Sequence, residues 1–241
     1  MNKPLRRRIV EMITKAGEGH IPSAFSIVDI IEVLYGRVLG PEDRFILSKG
    51  HGCAALYAVL ERNGVLAQEH LDSYGTSEGI LGGHPDRTKA PVECSTGSLG
   101  HGLPMAVGLA LGLRIQKKSG RVFVLVGDGE THEGTTWESA RVAPHLGLAV
   151  TVIVDNNRSA EQLIANSNLT KQFWSFGWRV AEIDGHDGSG IDSALNYRPG
   201  PLAIIANTTK GKGVSFLEGH GKWHHRIPNK EEYAAIMEEL K

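Results

Sequence analysis

Arg121-Val-Phe-Val-Leu-Val-Gly-Asp-Gly129 and, further along, Ala149-Val-Thr-Val-Ile-Val-Asp-Asn-Asn157 are the two stretches whose reading decides the fold. Each opens as a short, β-branched apolar run of the kind that forms a strand buried on both faces. Between them, Glu133 to His145 is long enough for the crossover helix of a right-handed βαβ unit. Strands joined this way run parallel, so the carboxylate of Asp128 and the amide of Asn157 are expected at one edge of the sheet. That carboxyl edge is where open α/β sheets bind their ligands. Two oxygen-bearing side chains from neighbouring strand ends suit Mg2+, a hard ion with near-octahedral oxygen coordination. Its remaining ligands are expected from a backbone carbonyl just after Asn157, that of Ser159, and from water and diphosphate oxygens. Gly129 leaves room for phosphates to approach the backbone.

The rest of the chain extends an α/β pattern. Leu5 to Lys15 reads as a helix, and so does Ile27 to Tyr35, with Ile27, Ile30, Ile31 and Leu34 in helical spacing and Ser26 as its cap. His51 to Arg62 and His101 to Lys117 read as further helices, Trp178 to Ile183 and Pro201 to Thr208 as later strands. No internal repeat or long Pro/Ser linker interrupts the chain, so residues 1–241 are expected to form a single domain. The expected fold is a mostly parallel central sheet with helices on both faces.

Lys and Arg number 26 against 27 Asp and Glu, with no block of like charge, which argues against nucleic acid or a membrane surface as partner. Arg6-Arg7-Arg8 is the one basic run and reads as the solvated face of an N-terminal helix. No apolar stretch reaches the ~18–20 residues of a membrane span, and the N-terminus lacks a signal peptide's apolar core, so a cytoplasmic location is expected. Cys53 and Cys94 form neither a metal spacing nor a disulfide framework and read as small buried residues. Of the eleven histidines, His70, His132, His145 and His186 read as structural or simply exposed. His220, His224 and His225 show an H-x3-H spacing, yet the surrounding glycines argue against a helix and a zinc site.

Gly127-Asp-Gly129 followed by Asn156-Asn157 resembles the cofactor motif of thiamine-diphosphate enzymes, and further segments narrow the resemblance to the transketolase family. Asp43-Arg-Phe-Ile-Leu-Ser-Lys-Gly-His-Gly52 is similar to that family's DRFxLSxGH, and Ser95-Thr-Gly-Ser-Leu-Gly-His-Gly102 to its TGxLGQG. Gly82-Gly-His-Pro-Asp86 resembles the GHPE or GHPD loop, and Gly211-Lys-Gly-Val-Ser through Trp223-His224 the GKGVSxxE…WHG tail. The similarity runs in the family's order from about residue 5 to 235.

The resemblance implies thiamine diphosphate and Mg2+ as cofactors, with Ca2+ an acceptable substitute, the metal held by Asp128, Asn157 and Ser159. It places His51 and His224 on the diphosphate, with Gly129, Glu130 and Asn157 as further cofactor contacts. His20 and His84 would line the entrance where donor and acceptor sugars react, His224 joining them in catalysis. The turn Gly97-Ser98-Leu99 would lie beside the thiazolium, Leu99 packing under the cofactor's bend. Glu133 would join a proton-sharing network across a subunit interface, with Glu138 nearby. A complete transketolase carries three domains. At 241 residues the chain resembles the diphosphate-binding subunit of a split form. The implied activity is transfer of a two-carbon ketol unit from a ketose phosphate to an aldehyde acceptor. It depends on a partner subunit with the pyrimidine-binding domain, in a heterotetramer with two copies of each chain.

Departures from the family pattern concentrate near the reacting groups. Ile21-Pro22-Ser23-Ala24 follows His20 where the family has glycine-rich GHxGG, and Pro22 is expected to stiffen a loop there. His101 replaces the Gln of TGxLGQG, and His225 the glycine of WHG. Residues Ser159 to Phe173 are shorter than the family pattern and lack its DG turn. These changes point to a specialised biosynthetic pathway. Two other readings use the same motif: a subunit of a decarboxylating 2-oxoacid enzyme, and a non-catalytic cofactor-binding scaffold. A two-chain active site also predicts an exposed apolar patch near the first turn of the crossover helix.

Overall fold

Runs such as Val122-Phe-Val-Leu-Val126 are too apolar to face water on either side, and they form the centre of the molecule. The computed structural model of the chain describes residues 1–165, 168–197, 200–219, 221 and 223–241. Among the described residues, β1 (Arg44–Leu47), β2 (Val122–Gly127), β3 (Val150–Asn156), β4 (Arg179–Asp184) and β5 (Leu202–Asn207) form one wholly parallel sheet in the order β1-β2-β3-β5-β4. Register pairs Gly127 with Asp155 and Asn156 with Asn207, so β2, β3 and β5 end level with one another and their following residues leave at one edge.

Nine helices flank the sheet among the described residues: α1 (Lys3–Ala16), α2 (Ile21–Val33), α3 (Cys53–Arg62), α4 (Gln68–Asp72), α5 (Gly102–Ile115), α6 (Gly134–His145), α7 (Leu169–Ser175), α8 (Gly188–Leu195) and α9 (Lys230–Glu239). Alternation along the strands divides the core in two. Phe123, Leu125, Ile153 and Ile204 pack with α1 to α4, α8 and α9, while Val122, Val124, Val126, Val152 and Val154 pack with α5, α6 and α7 on the other face. The expected parallel sheet with two helical layers is what forms, and α6 is the expected crossover between neighbouring strands β2 and β3. No described helix is long and apolar enough to cross a membrane. The sheet's outer strands differ from its centre: β1 is four residues long, and β4 exposes Arg179, Glu182 and Asp184.

Several expectations are corrected. The second helix begins at Ile21, six positions before the expected start, and Ser26 lies buried inside it instead of capping it. Pro22 therefore occupies the helix's first turn, where its missing N–H is no loss and its fixed φ suits the helix. It stiffens no loop. Arg6 is not on a solvated face: it is fully buried against Asp29, at 2.7 Å, because α1 turns that position toward α2. Arg8 is likewise drawn into pairs with Glu61 and Asp72. Cys53 is buried, its thiol pushed up to about 12 by that burial, whereas Cys94 is only half-buried. Residues Asp128–His132 form a tight turn of their own, so Glu133 stands immediately before α6.

Phe123 is fully buried in β2, an interior strand of the sheet, so Phe123→Ala should cost about 3–5 kcal/mol. The exposed Ile115, at 72% exposure, should tolerate Ala within about 0.5 kcal/mol in the same urea titration.

Candidate active site

Two side chains from adjacent strand ends meet over one turn. Asp128 follows β2; its Oδ1 accepts the Gly129 amide N–H at 2.9 Å, and its Oδ2 that of Ala160 at 3.0 Å. Asn157 follows β3, and its Oδ1 accepts the Ser159 amide N–H at 2.9 Å. Consecutive amides of the Ser159-Ala160 turn thus tie both candidate metal ligands together. Both side chains are buried, at 5% and 6% exposure. Among the described residues no group of three or more His, Cys, Asp or Glu is arranged to hold a metal ion. A metal at this turn would rest on one carboxylate, one amide oxygen and the Ser159 carbonyl, a hard-oxygen set suited to Mg2+ or Ca2+ with phosphate oxygens completing the shell. Gly129 fits the same group. Its φ is not in the left-handed region, and a Cβ there would meet only Ala160 Cβ, at 3.9 Å. Nothing in the protein itself demands glycine, and the room above the backbone matches an approaching phosphate.

Beneath this pair lies a buried ion pair. Lys49, after β1, donates to Asp155 Oδ2, and also to Ser26 Oγ at 3.0 Å and the Ser23 carbonyl at 3.1 Å. Asp155 is wholly buried and also accepts from Ser26 Oγ at 2.8 Å, from Thr208 Oγ1, and from Asn157 Nδ2 at 2.9 Å. The last contact settles the Asn157 amide: its nitrogen faces Asp155 and its oxygen faces the Ser159-Ala160 turn.

Over the turn stands a basic cluster. His20 lies within ring-centroid distances of 5.2 Å from His51, 5.4 Å from His224 and 4.5 Å from His225. The Lys210 ammonium, after β5, is 2.6 Å from His224 Nδ1 and donates to Ser159 Oγ at 3.1 Å. His84 is exposed and its ring lies against Gly50 and Gly97. Trp223, buried beside Phe216 and under the Arg226 guanidinium, anchors the tail that carries His224. Proton affinities are lowered at His20, His51, His224 and Lys210. Burial, then repulsion from His225, His224, His84 and Lys210, lowers His20 to about 4. Burial and Lys49 drive His51 far down. Burial, then Lys210, lowers His224. Burial and Lys49 bring Lys210 to about 8, against the pull of Asp128 and Asp155. Neutral imidazoles beside one ammonium form a set of donors able to hydrogen-bond an anion's oxygens.

The family described as "Transketolase, thiamine diphosphate binding domain" matches residues 1–240. The chain belongs to the transketolase family. It is 38% identical over 259 aligned residues to one of the named subunits of apulose-4-phosphate transketolase from Actinobacillus succinogenes, covering 99% of this chain and 94% of that one. It is 34% identical to the 6-deoxy-6-sulfo-D-fructose transketolase subunit SqwG of Clostridium sp. strain MSTE9, covering 98% and 93%. The crystal structure of Campylobacter jejuni transketolase superposes with a TM-score of 0.91 at 30% identity, over 98% of this chain and 41% of that chain. The chain therefore spans about two fifths of the solved transketolase and nearly the whole of the relatives named as subunits.

Within this transketolase domain the other expected site residues take distinct places. Gly97, Ser98 and Leu99 are exposed, Leu99 at 45%, on a turn beside His84. Gly100 ends it with φ +76°, and a Cβ there would lie 2.5 Å from Glu133 Cβ, so the turn seats directly on the residue before α6. Glu133 is exposed, as is Glu138. Glu130 is buried and its carboxylate is committed inside the protein: Oε1 accepts from Ser48 Oγ and the Gly100 amide at 3.0 Å, Oε2 from the Gly127 amide at 2.9 Å. Burial raises its pKa, opposed by those donors and by Lys49. Its side chain clamps loops together. His101 is exposed and bonds the Leu99 carbonyl of its own turn. His220 lies outside the described residues. The exposed apolar side chains near this edge include Leu99, Leu163 and Ile164; within the first turn of α6 itself Thr136 is buried and Trp137 half-buried.

Sequence reasoning missed Lys49, Asp155, Ser26, Thr208 and Lys210. Their common signal is position: four closely follow or end strands at the carboxyl edge, and Lys49 and Lys210 lie inside quoted or adjoining motif segments.

Lys49→Met leaves the Asp155 carboxylate buried without its cation and should cost about 3–5 kcal/mol by chemical denaturation. A second expectation concerns acid. Folded His20 holds its proton only below about 4, the unfolded chain below about 6.5, so between these values unfolding takes up a proton. Stability should fall as pH drops through that window, and His20→Gln should make the decline shallower in pH-dependent melting curves.

Proposed function

We propose that this chain is the diphosphate-binding subunit of a two-chain transketolase. One observation carries the reading: a hard-oxygen metal turn and a cluster of imidazoles and a lysine converge at the carboxyl edge of one parallel sheet. Asp128, Asn157 and the Ser159 carbonyl would hold Mg2+. His51, His224, Lys210 and the open backbone at Gly129 would receive the diphosphate, and the exposed Gly97-Ser98-Leu99 turn would flank the ring system. Thiamine diphosphate supplies, when bound, the electron sink that lets a ketose carbon–carbon bond break and re-form on an aldehyde.

The protein's own contribution is binding, orientation and proton handling. His20 is neutral at pH 7, so its free ring nitrogen accepts a proton from a substrate hydroxyl and returns it to a carbonyl oxygen. His84 is exposed at the mouth and would exchange protons with substrate on the solvent side. Glu133 and the rim of Leu99, Leu163 and Ile164 face outward and would be covered by a partner subunit carrying the pyrimidine-binding domain and its activating glutamate. The donor class is a ketose phosphate or a ketose with another terminal anion, supported by the apulose-4-phosphate and sulfofructose names of the relatives. The acceptor is an aldehyde in a specialised pathway. The assembly is a cytoplasmic heterotetramer with two copies of each chain.

Tagged purification from the native host should recover a second chain, and the eluate should transfer ketol units only with thiamine diphosphate and Mg2+ present. Activity from this chain alone, or an inactive homo-oligomer, would count against the reading. In the same assay Asp128→Ala should abolish Mg2+-dependent cofactor binding and lower turnover by at least about a thousandfold, since it deletes the only side-chain anion of the metal turn.

A further inference from the structure

Arg6, Asp29 and His186 lie outside the site, yet they form a buried polar chain that ends on the loop bearing Lys210. Arg6 in α1 donates from both terminal nitrogens to Asp29 in α2, at 2.9 and 2.7 Å, and from one of them to the Phe25 carbonyl at 3.2 Å. Its Nε donates to the Lys212 carbonyl at 2.8 Å. Asp29 Oδ2 also bonds His186 Nδ1 at 2.8 Å. The other ring nitrogen, Nε2, accepts the Thr209 amide N–H at 2.9 Å, which leaves the proton on Nδ1, facing the carboxylate. The three side chains are 0%, 6% and 9% exposed.

Residues 208–213 are thereby held from several sides. His186 fixes the Thr209 amide, the Pro22 carbonyl accepts from Gly211 at 3.0 Å, and Arg6 holds the Lys212 carbonyl. Lys210 sits between these anchors and reaches Ser159 and His224. A lysine ammonium rides on four flexible carbons, so its position depends on where the backbone begins. Replacing a buried ion pair with apolar groups is often neutral or stabilising, so stability alone gives weak reason for this one. Placement of a loop gives a better reason.

We infer that Arg6, Asp29 and His186 are positioning residues that set the Lys210 ammonium for the diphosphate. The inference rests on the cofactor reading above and adds that the N-terminal helix is part of the site. The test is calorimetric titration of the full chain with inorganic pyrophosphate and Mg2+. Lys210→Met, His186→Leu, the double variant and His186→Gln are compared. Misplacing one charge-assisted contact should weaken binding about tenfold in His186→Leu. The double variant should bind no more weakly than Lys210→Met alone, because both changes remove the same contact. His186→Gln, whose amide carries both a donor and an acceptor, should return to within about threefold of wild type. Arg6→Lys keeps the charge beside Asp29 but loses the Nε donor; it should show the same tenfold, non-additive loss, and it decides the matter if His186→Leu does not fold. Additive losses, or His186→Leu and Arg6→Lys binding like wild type, would overturn the inference. Wild-type binding that Lys210→Met leaves unchanged would overturn it while sparing the cofactor reading; no wild-type binding would sink both.

Discussion

The ion pair between Lys49 and Asp155 is the constraint on which the site depends. One carboxylate, fully buried, gathers donors from four places: the segment after β1, helix α2, the loop after β5 and Asn157 just past its own strand. A carboxylate removed from water this completely is tolerable only with a cation and with its remaining lone pairs satisfied, and both conditions hold here. The consequence is geometric. Because Asp155 takes the nitrogen of the Asn157 amide, the amide oxygen is turned to the Ser159 side before any ligand arrives, and the pre-set orientation spares a rotamer search on binding.

A second consequence appears in the histidines. His20, His51, His224 and Lys210 all lose proton affinity through burial and mutual repulsion, and the lowering marks an arrangement that is electrostatically unfavourable in the protein by itself. Groups that would repel one another in water are held close by Trp223, by the 208–213 loop and by the start of α2. An anion placed among them would add an attraction that opposes the lowering and favours their protonated forms.

The centre of the fold was legible because β2 and β3 are long apolar runs with a helix-length gap, and physics leaves few other uses for such a pattern. Asp128 stood out as the first polar residue after its run, and Asn157 as the last of the polar Asp155-Asn156-Asn157 segment that closes the other. β1 was not, since Arg44–Leu47 is four residues long and its apolar run is broken off by Ser48-Lys49. The start of α2 was misread because Pro22 and Ser23 look like loop residues until one knows that they occupy a first turn. Arg6 and Lys49 were missed as partners of Asp29 and Asp155 because those contacts join residues 23 and 106 positions apart. Charge in a sequence carries no label saying which distant carboxylate it will meet. The histidines were assigned only through resemblance to transketolases; spacing alone does not bring His20, His51 and His224 together.

A parallel sheet of this kind has two open sides, each a row of unpaired backbone groups that another chain's strand can join. Here one side ends in a strand of four residues and the other in a strand that exposes Arg179, Glu182 and Asp184 to water. A short edge offers little length for pairing, and a charged one makes a foreign strand bury charge. Both edges therefore offer a foreign strand little to pair with, which disfavours stacking of copies into ordered aggregates.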